Sequence, residues 1–134
     1  MNLFKREHKF MHKILLIGVA GLVGTLARVW FTELMGEWWN GKFPVGTIIV
    51  NLAGCFAIGF LFHLTQDKYV IDPVLRSAVL VGVLGGFTTF SSYGLQVFNS
   101  FQEGEVFLAM ANVLISNVAG LLMVWAGYAV SRTF

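Results

Sequence analysis

The chain has 134 residues, of which 57% are hydrophobic and only 12% are charged, and its mean hydropathy is +0.75. An ordinary soluble domain carries about 25% charged residues, so this composition argues against a soluble domain and against a disordered chain. The single cysteine excludes an intrachain disulfide framework. The net charge of +2 is small and scattered, and we therefore expect no binding to nucleic acid.

Long stretches without Asp, Glu, Lys or Arg predict the fold class. Three of them, residues 43–66, 77–102 and 106–131, exceed the roughly 20 residues that a helix needs to cross a bilayer. A shorter apolar run, residues 14–27, begins a further helix. We therefore predict one domain, an all-α membrane protein with four transmembrane helices. The predicted spans are about residues 13–35, 43–65, 76–100 and 106–130.

The first segment has an alternative interpretation. Four cations, Lys5, Arg6, Lys9 and Lys13, precede a 14-residue apolar run, which is also typical of a secretory signal peptide. A transmembrane helix is favoured because no soluble domain follows. With four spans, both termini and the second loop lie on one side, which carries seven of the nine Lys and Arg residues. This bias favours cytoplasmic termini, and it would be weak if the native protein began at Met11.

The third span contains a segment that forms an α-helix poorly. Gly85 and Gly86 each cost about 1 kcal/mol relative to Ala, and the hydroxyl side chains that follow, up to Ser92, compete for backbone hydrogen bonds. We predict a break near residues 85–89. At membrane depth a break requires that the freed backbone groups be buried in protein or line an ion site. The alternative is a close-packing face of Gly82 and Gly86, with the hydroxyls bonded to their own helix.

Asn51 is a neutral amide in the middle of the second span. Its side chain has two donor hydrogens and an acceptor oxygen, which need partners in the membrane. It either bonds to another helix or faces a pore and donates to an anion. The residue alone leaves both roles open.

Polar residues of the fourth span form one stripe. Asn112, Ser116 and Gly120 are spaced four apart and share a helical face, whereas Asn117 lies off that face. Hydrogen bonding between helices is the ordinary role of such a stripe. A second role, lining an ion path, depends on what else faces it.

Two further features of the spans concern aromatic rings and charge. Phe90 and Tyr93 are three apart and share a face; ring edges are positive and can face an anion, although packing is the ordinary role. Arg28 lies near the far end of the first span, where its side chain can extend to the headgroups. We favour a structural or electrostatic role for Arg28 over direct contact with an ion.

Residues for catalysis are missing from the sequence pattern. Glu33 and Glu37 lie at the edge of a span, and no acid pair lies within one. There is no His/Cys metal spacing, phosphate loop or nucleophile triad. We therefore do not expect an enzyme.

These segments resemble the small fluoride channels of the Fluc (CrcB-type) family. The resemblance runs from Ile14 to Gly127 and rests on the Gly-rich first helix ending in Arg28, on residues 46–54 (GTIIVNLAG) and on residues 85–92 (GGFTTFSS). It implies an antiparallel, dual-topology homodimer in the inner membrane of a bacterial-type cell. It also implies two pores for passive, selective fluoride export and a structural sodium ion at the dimer interface.

The resemblance also implies roles for particular residues. Gly85 and Thr88 match the positions whose backbone carbonyls coordinate sodium. Tyr93 replaces the second pore phenylalanine, and Gly120 stands where a hydroxyl often lies, so both depart from the family pattern. The basic N-terminus departs from the weak charge bias of dual insertion, and it raises the alternative of a heterodimer with one fixed orientation. The positions that match the fluoride path are Asn51, Phe90, Tyr93, Ser92, Asn112 and Ser116.

The sequence thus predicts a fluoride-selective channel surrounded by membrane lipid. Fluoride is small and strongly hydrated, so a selective path must replace its water with dense uncharged donors and still release the ion. Two other functions stay open. A small dual-topology exporter of organic cations would use Glu33 for proton and substrate exchange, and a non-transporting subunit of a membrane assembly would pass no solute.

Overall fold

The structure, a computed structural model, describes residues 3–69 and 71–134. Four helical segments in it are long and apolar enough to cross a membrane, which confirms the predicted all-α fold with four spans. In chain order, the first to fourth spans are Arg6–Trp38, Val45–Gln66, Pro73–Gln102 and Val106–Ser131.

Three of the spans are composite: π-helical segments interrupt the α-helices of the third and fourth spans, and another follows the α-helix of the second span. A π-helical turn contains an extra residue and is frequently found at functional sites. The α-helices are α1 (Leu3–Trp38), α2 (Val45–His63), α3 (Pro73–Ser77), α4 (Leu84–Phe87), α5 (Phe90–Gln102), α6 (Val106–Leu114) and α7 (Gly120–Ser131). The π-helical segments are Leu64–Lys68, Ala78–Val83 and Ile115–Ala119.

The first helix is longer than its predicted span of about residues 13–35. It begins at Leu3 and ends at Trp38, because no proline interrupts the helix through the basic N-terminal segment. A helix of 36 residues is about 54 Å long, whereas the bilayer core is about 30 Å thick. The basic N-terminal turns of α1 therefore extend beyond the apolar part of the membrane.

Local sequence signals set the remaining boundaries. Oδ1 of Asp72 accepts hydrogen bonds from the backbone N–H groups of Val74 (2.7 Å) and Leu75 (3.2 Å), and Pro73 occupies the first helical position. This is a common helix start. Gly104 has a positive φ of 76°, which favours glycine and turns the chain from the third span into the fourth.

The spans pack in two close pairs, and glycines determine how closely the helices approach. A Cβ atom added at Gly24 would lie 2.0 Å from the carbonyl oxygen of Val83, and one added at Gly59 would lie 2.0 Å from that of Val124. The first span therefore contacts the third backbone to backbone, and the second contacts the fourth in the same way. Small residues at helix interfaces are typical of membrane proteins.

The outer surface is apolar over the length of the spans. Large hydrophobic side chains such as Leu15 (68% exposed), Phe107 (82%) and Leu121 (74%) point away from the helix bundle. A surface of this kind is suited to lipid tails and not to water. The protein is therefore a multi-pass integral membrane protein.

Candidate functional site

The third span is interrupted at Thr88 and Thr89. Thr88 has ψ 158° and Thr89 has φ −147° and ψ 118°, so both residues are extended between α4 and α5. The sequence predicts a break near residues 85–89. The structure places the extended residues at the end of that range, while Gly85 and Gly86 remain helical in α4.

Backbone hydrogen bonds of α4 stop at this interruption. The N–H and Oγ1 of Thr88 both donate to the carbonyl of Leu84 at 3.0 Å. In a continuous helix the next N–H, that of Thr89, would donate to Gly85. It donates to Oδ1 of Asn51 instead, at 2.8 Å. The carbonyl of Gly85 is thereby left without its helical donor.

Asn51 connects the second span to the interruption by two hydrogen bonds. Its Oδ1 accepts from the N–H of Thr89, and its Nδ2 donates to the carbonyl of Thr89 at 3.1 Å. A Cβ atom at Gly54, one turn further on, would lie 2.2 Å from Cγ2 of Thr88, so this glycine makes room for the extended chain. The amide retains one further N–H that is not used by these two bonds.

Arg28 supplies a positive charge beside the interruption. Its Nε donates to the carbonyl oxygen of Gly86 at 3.2 Å, whose helical donor would otherwise be the N–H of Phe90. The sequence predicts Arg28 near the far end of the first span, within reach of the headgroups. In the structure the half-buried guanidinium lies against the middle of the third span, because a carbonyl that lacks a helical partner is available there.

The helix restarts at Phe90 with a side-chain cap. Oγ1 of Thr89 accepts a hydrogen bond from the N–H of Ser92 at 3.2 Å and donates to Oγ of Ser92 at 3.0 Å. This is the usual action of a threonine N-cap. Ser92 is thus engaged with the start of α5, and it does not line the cleft described below.

Phe90 and Tyr93 lie close together but in different surroundings. Their ring centroids are 5.3 Å apart and the rings are inclined by 57°. Phe90 is 81% exposed, whereas Tyr93 is only 9% exposed. The Tyr93 hydroxyl accepts a hydrogen bond of 3.0 Å from Nδ2 of Asn117, so its own proton remains free to be donated to another group.

Asn112 and Ser116 of the fourth span are bonded to each other. Oγ of Ser116 donates to Oδ1 of Asn112 at 2.9 Å. Asn112 is 1% exposed, and its Nδ2 has no hydrogen-bond partner among the described residues. A buried amide donor without a partner is costly, which makes Asn112 a candidate to donate to a bound group.

A cleft of about 310 Å³ brings many of these side chains together at the interruption. Of the predicted site residues it contains Asn51, Gly85, Thr88, Phe90, Tyr93 and Ser116, while Arg28, Ser92 and Asn112 lie outside its lining. The other lining residues are Gly54, Cys55, Ile58, Leu80, Leu84, Thr89 and Asn117.

The lining of this cleft is uncharged and mostly apolar, with a small number of amide and hydroxyl groups. Its lining contains amides and hydroxyls but no Asp, Glu, Lys or Arg. Glu33, which a cation exporter would need, is exposed on the first span and is not part of the lining. Such a cleft can replace part of the water around a small anion without trapping it by a full charge.

Asn117 is a residue that the sequence pattern missed. The prediction assigns it to a face away from Asn112 and Ser116, assuming regular α-helix. The π-helical segment Ile115–Ala119 changes the angular position of the residues within it, and Asn117 turns toward Tyr93. An asparagine inside an apolar span is itself a signal that could have identified it.

The chain matches one family model and several known proteins over most of its length. Residues 15–128 match the family model described as CrcB-like protein, Camphor Resistance (CrcB). The chain is also similar to proteins named fluoride-specific ion channel FluC. It is 40% identical over 117 residues to that of Methylocella silvestris (86% of this chain, 89% of the relative). It is 36% identical over 122 residues to that of Hydrogenovibrio crunogenus (91% and 92%) and 36% identical over 118 residues to that of Aquifex aeolicus (88% and 95%).

Proposed function

This chain belongs to the CrcB family, and from that premise we propose that it forms a fluoride-selective channel. It would let fluoride leave the cell passively and so lower the fluoride concentration in the cytoplasm. We propose no catalytic activity. The observation that carries the proposal is the uncharged cleft at the interruption of the third span, where Asn51 and Tyr93 each retain a free donor.

Two donors and one aromatic ring edge at the cleft are suited to a dehydrated fluoride ion. The second N–H of the Asn51 amide and the O–H of Tyr93 are not consumed by the hydrogen bonds described above. The edge of the exposed Phe90 ring carries positive partial charge. Uncharged donors of this kind stabilise an anion while allowing it to leave, since conduction requires that binding not be too strong.

A structural sodium ion fits the carbonyl groups at the interruption. The carbonyl of Gly85 has lost its helical donor to Asn51, and a side chain added at Gly85 would meet nothing within 4 Å. Carbonyls of unwound backbone are known ligands for sodium in membrane proteins. Gly85 and Thr88 would hold the ion through their carbonyl oxygens, and the bound sodium would supply a fixed positive charge that favours a nearby anion.

Two copies of the chain are needed to complete this site. Gly85 and Phe90 are exposed on the open side of the cleft, so one chain does not enclose a path. Two carbonyl ligands from one chain are also too few to surround a cation. We propose an antiparallel homodimer in the inner membrane of a bacterial-type cell, in contact with lipid. A heterodimer is the alternative, because the basic N-terminus favours one orientation.

Fluoride efflux from liposomes tests the proposed function. The purified chain is reconstituted into vesicles loaded with potassium fluoride or potassium chloride, and release is followed with ion-selective electrodes after valinomycin is added. We expect rapid fluoride release and chloride release no faster than from protein-free vesicles. Absence of fluoride release, or equal release of both halides, would contradict the proposal.

A further inference from the structure

A second cleft lies outside the interruption, where the N-terminal turns of α1 approach the start of α3. Its volume is about 520 Å³, larger than that of the cleft at the interruption. It is lined by Arg6, Glu7, Lys9, Phe10, Lys13, Pro73 and Val74. Three of these side chains are cations and one is an acid, so the cleft carries an excess of positive charge.

The helix aligns the cations of this cleft on one face. Arg6, Lys9 and Lys13 are separated by three and four residues, as is required for side chains to be neighbours along a helix. Like charges in this arrangement repel each other. Among the residues that the structure describes, Arg6, Lys9 and Lys13 form no ion pair with an acidic side chain, so an anion from outside would relieve this repulsion.

The position of the cations along α1 corresponds to the lipid headgroups. Lys13 directly precedes the apolar run that starts at Ile14. The seven-residue distance from Arg6 to Lys13 is about 10 Å of helix, and the polar layer on each side of a bilayer is roughly 5–8 Å thick. Lys13 and Lys9, about 6 Å apart along the helix, therefore lie at headgroup height, and Arg6 lies at the outer edge of that layer.

The same cleft also offers apolar surface. Phe10 is 62% exposed, and Pro73 and Val74 face the cleft from the start of the third span. A free phosphate ion does not pack against apolar side chains. A phospholipid does, because acyl chains are attached to its phosphate. The combination of clustered cations with adjoining apolar side chains therefore favours a lipid over a free anion.

The distribution of charged residues between the two membrane sides also gives this side an excess of positive charge. The side that contains the termini and the second loop carries seven Lys and Arg against three Asp and Glu, and the remainder carries two against four. Anionic lipids attract basic segments that flank transmembrane helices, and basic pockets between such helices bind anionic headgroups.

We propose that the cleft formed by α1 and α3 binds the headgroup of an anionic phospholipid. Arg6, Lys9 and Lys13 contact its phosphate, and Phe10 contacts its acyl chain.

Native mass spectrometry of the full-length protein in detergent tests this proposal. The protein is titrated with phosphatidylglycerol or with phosphatidylcholine of the same acyl chains, and retained lipids are counted. Phosphatidylglycerol is expected to bind at the cleft, and Lys9→Gln/Lys13→Gln is expected to weaken that binding by about tenfold or more. The matched control is Lys68→Gln/Arg132→Gln, which removes two cations of the same membrane side that are outside the cleft.

A conservative variant separates binding from folding. Lys9→Arg/Lys13→Arg keeps both charges and is expected to retain the lipid, with a melting temperature equal to that of the Gln variant. The proposal is overturned if the control variant loses as much lipid as the cleft variant, or if phosphatidylcholine binds equally well. Displacement of the lipid by an equal concentration of inorganic phosphate would also overturn it, because the ligand would then be a free anion.

Discussion

The interrupted third span contacts its neighbouring helices in a different way from the second and fourth spans, which contact each other. At Gly59 and Gly127 continuous helices approach until a Cβ atom would lie about 2 Å from the opposite backbone. At Thr88 and Thr89 the helix stops, and side chains from other spans bind the exposed backbone. The first contact depends on shape, and the second depends on hydrogen bonds.

The difference follows from the absence of water in the bilayer core. A continuous helix satisfies its own N–H and C=O groups, so its neighbours need only fit against it. An interrupted helix leaves groups unpaired, and each must find a partner or cost free energy. Asn51, Arg28 and Thr89 provide such partners for the backbone groups at the interruption.

Enlarging a glycine at the continuous contact is expected to have the largest effect on folding. In Gly127→Ala the new Cβ would lie 2.1 Å from the carbonyl oxygen of Phe56, so the helices must separate at a cost of about 3 kcal/mol. Thermal unfolding in detergent measures this loss. Gly18→Ala is the matched control, because nothing lies within 4 Å of the added atom; equal melting temperatures for the two variants would contradict this account of the packing.

Changing the amide of Asn51 is expected to have the largest effect on transport. Asn51→Asp keeps an acceptor for the N–H of Thr89 but loses the donor to its carbonyl, and it places a negative charge at the cleft. Fluoride efflux should fall by about a hundredfold or more, because the charge repels the anion in a region of low dielectric constant.

Asn99→Asp controls for the chemistry of this substitution. Asn99 is an exposed residue of the third span, C-terminal to Tyr93. It does not line the cleft. Its variant should transport fluoride at the rate of the unchanged protein. If Asn51→Asp also transported at that rate, Asn51 would not line the path.

The contribution of Arg28 to the interruption is expected to be intermediate. Arg28→Gln removes the charged donor to the carbonyl of Gly86, and a hydrogen bond to a charged group contributes about 1.5–3 kcal/mol. The melting temperature should fall. Arg28→Lys should recover only part of the loss, since it keeps the charge without the planar donor geometry; full recovery would show that charge alone matters.

Removing the hydroxyl of Tyr93 is expected to have the smallest effect. Tyr93→Phe deletes the acceptor for Asn117, which should cost about 1 kcal/mol of stability, because Asn117 keeps its bond to the carbonyl of Val113. Fluoride efflux should fall only a few-fold, because the Asn51 amide and the ring edges remain to share the anion with the lost hydroxyl. A loss of efflux as large as in Asn51→Asp would contradict this sharing and make the hydroxyl the dominant donor.

The number of spans was predictable because it depends on a property of each segment alone. A stretch such as residues 106–131 contains no charge over a length that can cross the bilayer, and this excludes most other environments. The tendency of the third span to break was predictable for a similar reason, because Gly85, Gly86 and the neighbouring hydroxyl residues weaken a helix wherever it is placed.

The details of the site depended on partners that are distant in sequence. The extended residues are Thr88 and Thr89, where Asn51 binds the backbone from another span. Arg28 lies at mid-span because Gly86 offers a carbonyl there. Asn117 faces Tyr93 because a π-helical segment shifts its position on the helix.

The sequence by itself determined that this protein crosses the membrane four times and that the middle of the third span has a low helix propensity. Both follow from composition and helix propensity, which act over a few neighbouring residues. Tertiary structure alone decided which peptide groups were released and which side chains bind them. In a medium without water, an unpaired backbone group is satisfied by whichever donor or acceptor another helix brings within about 3 Å.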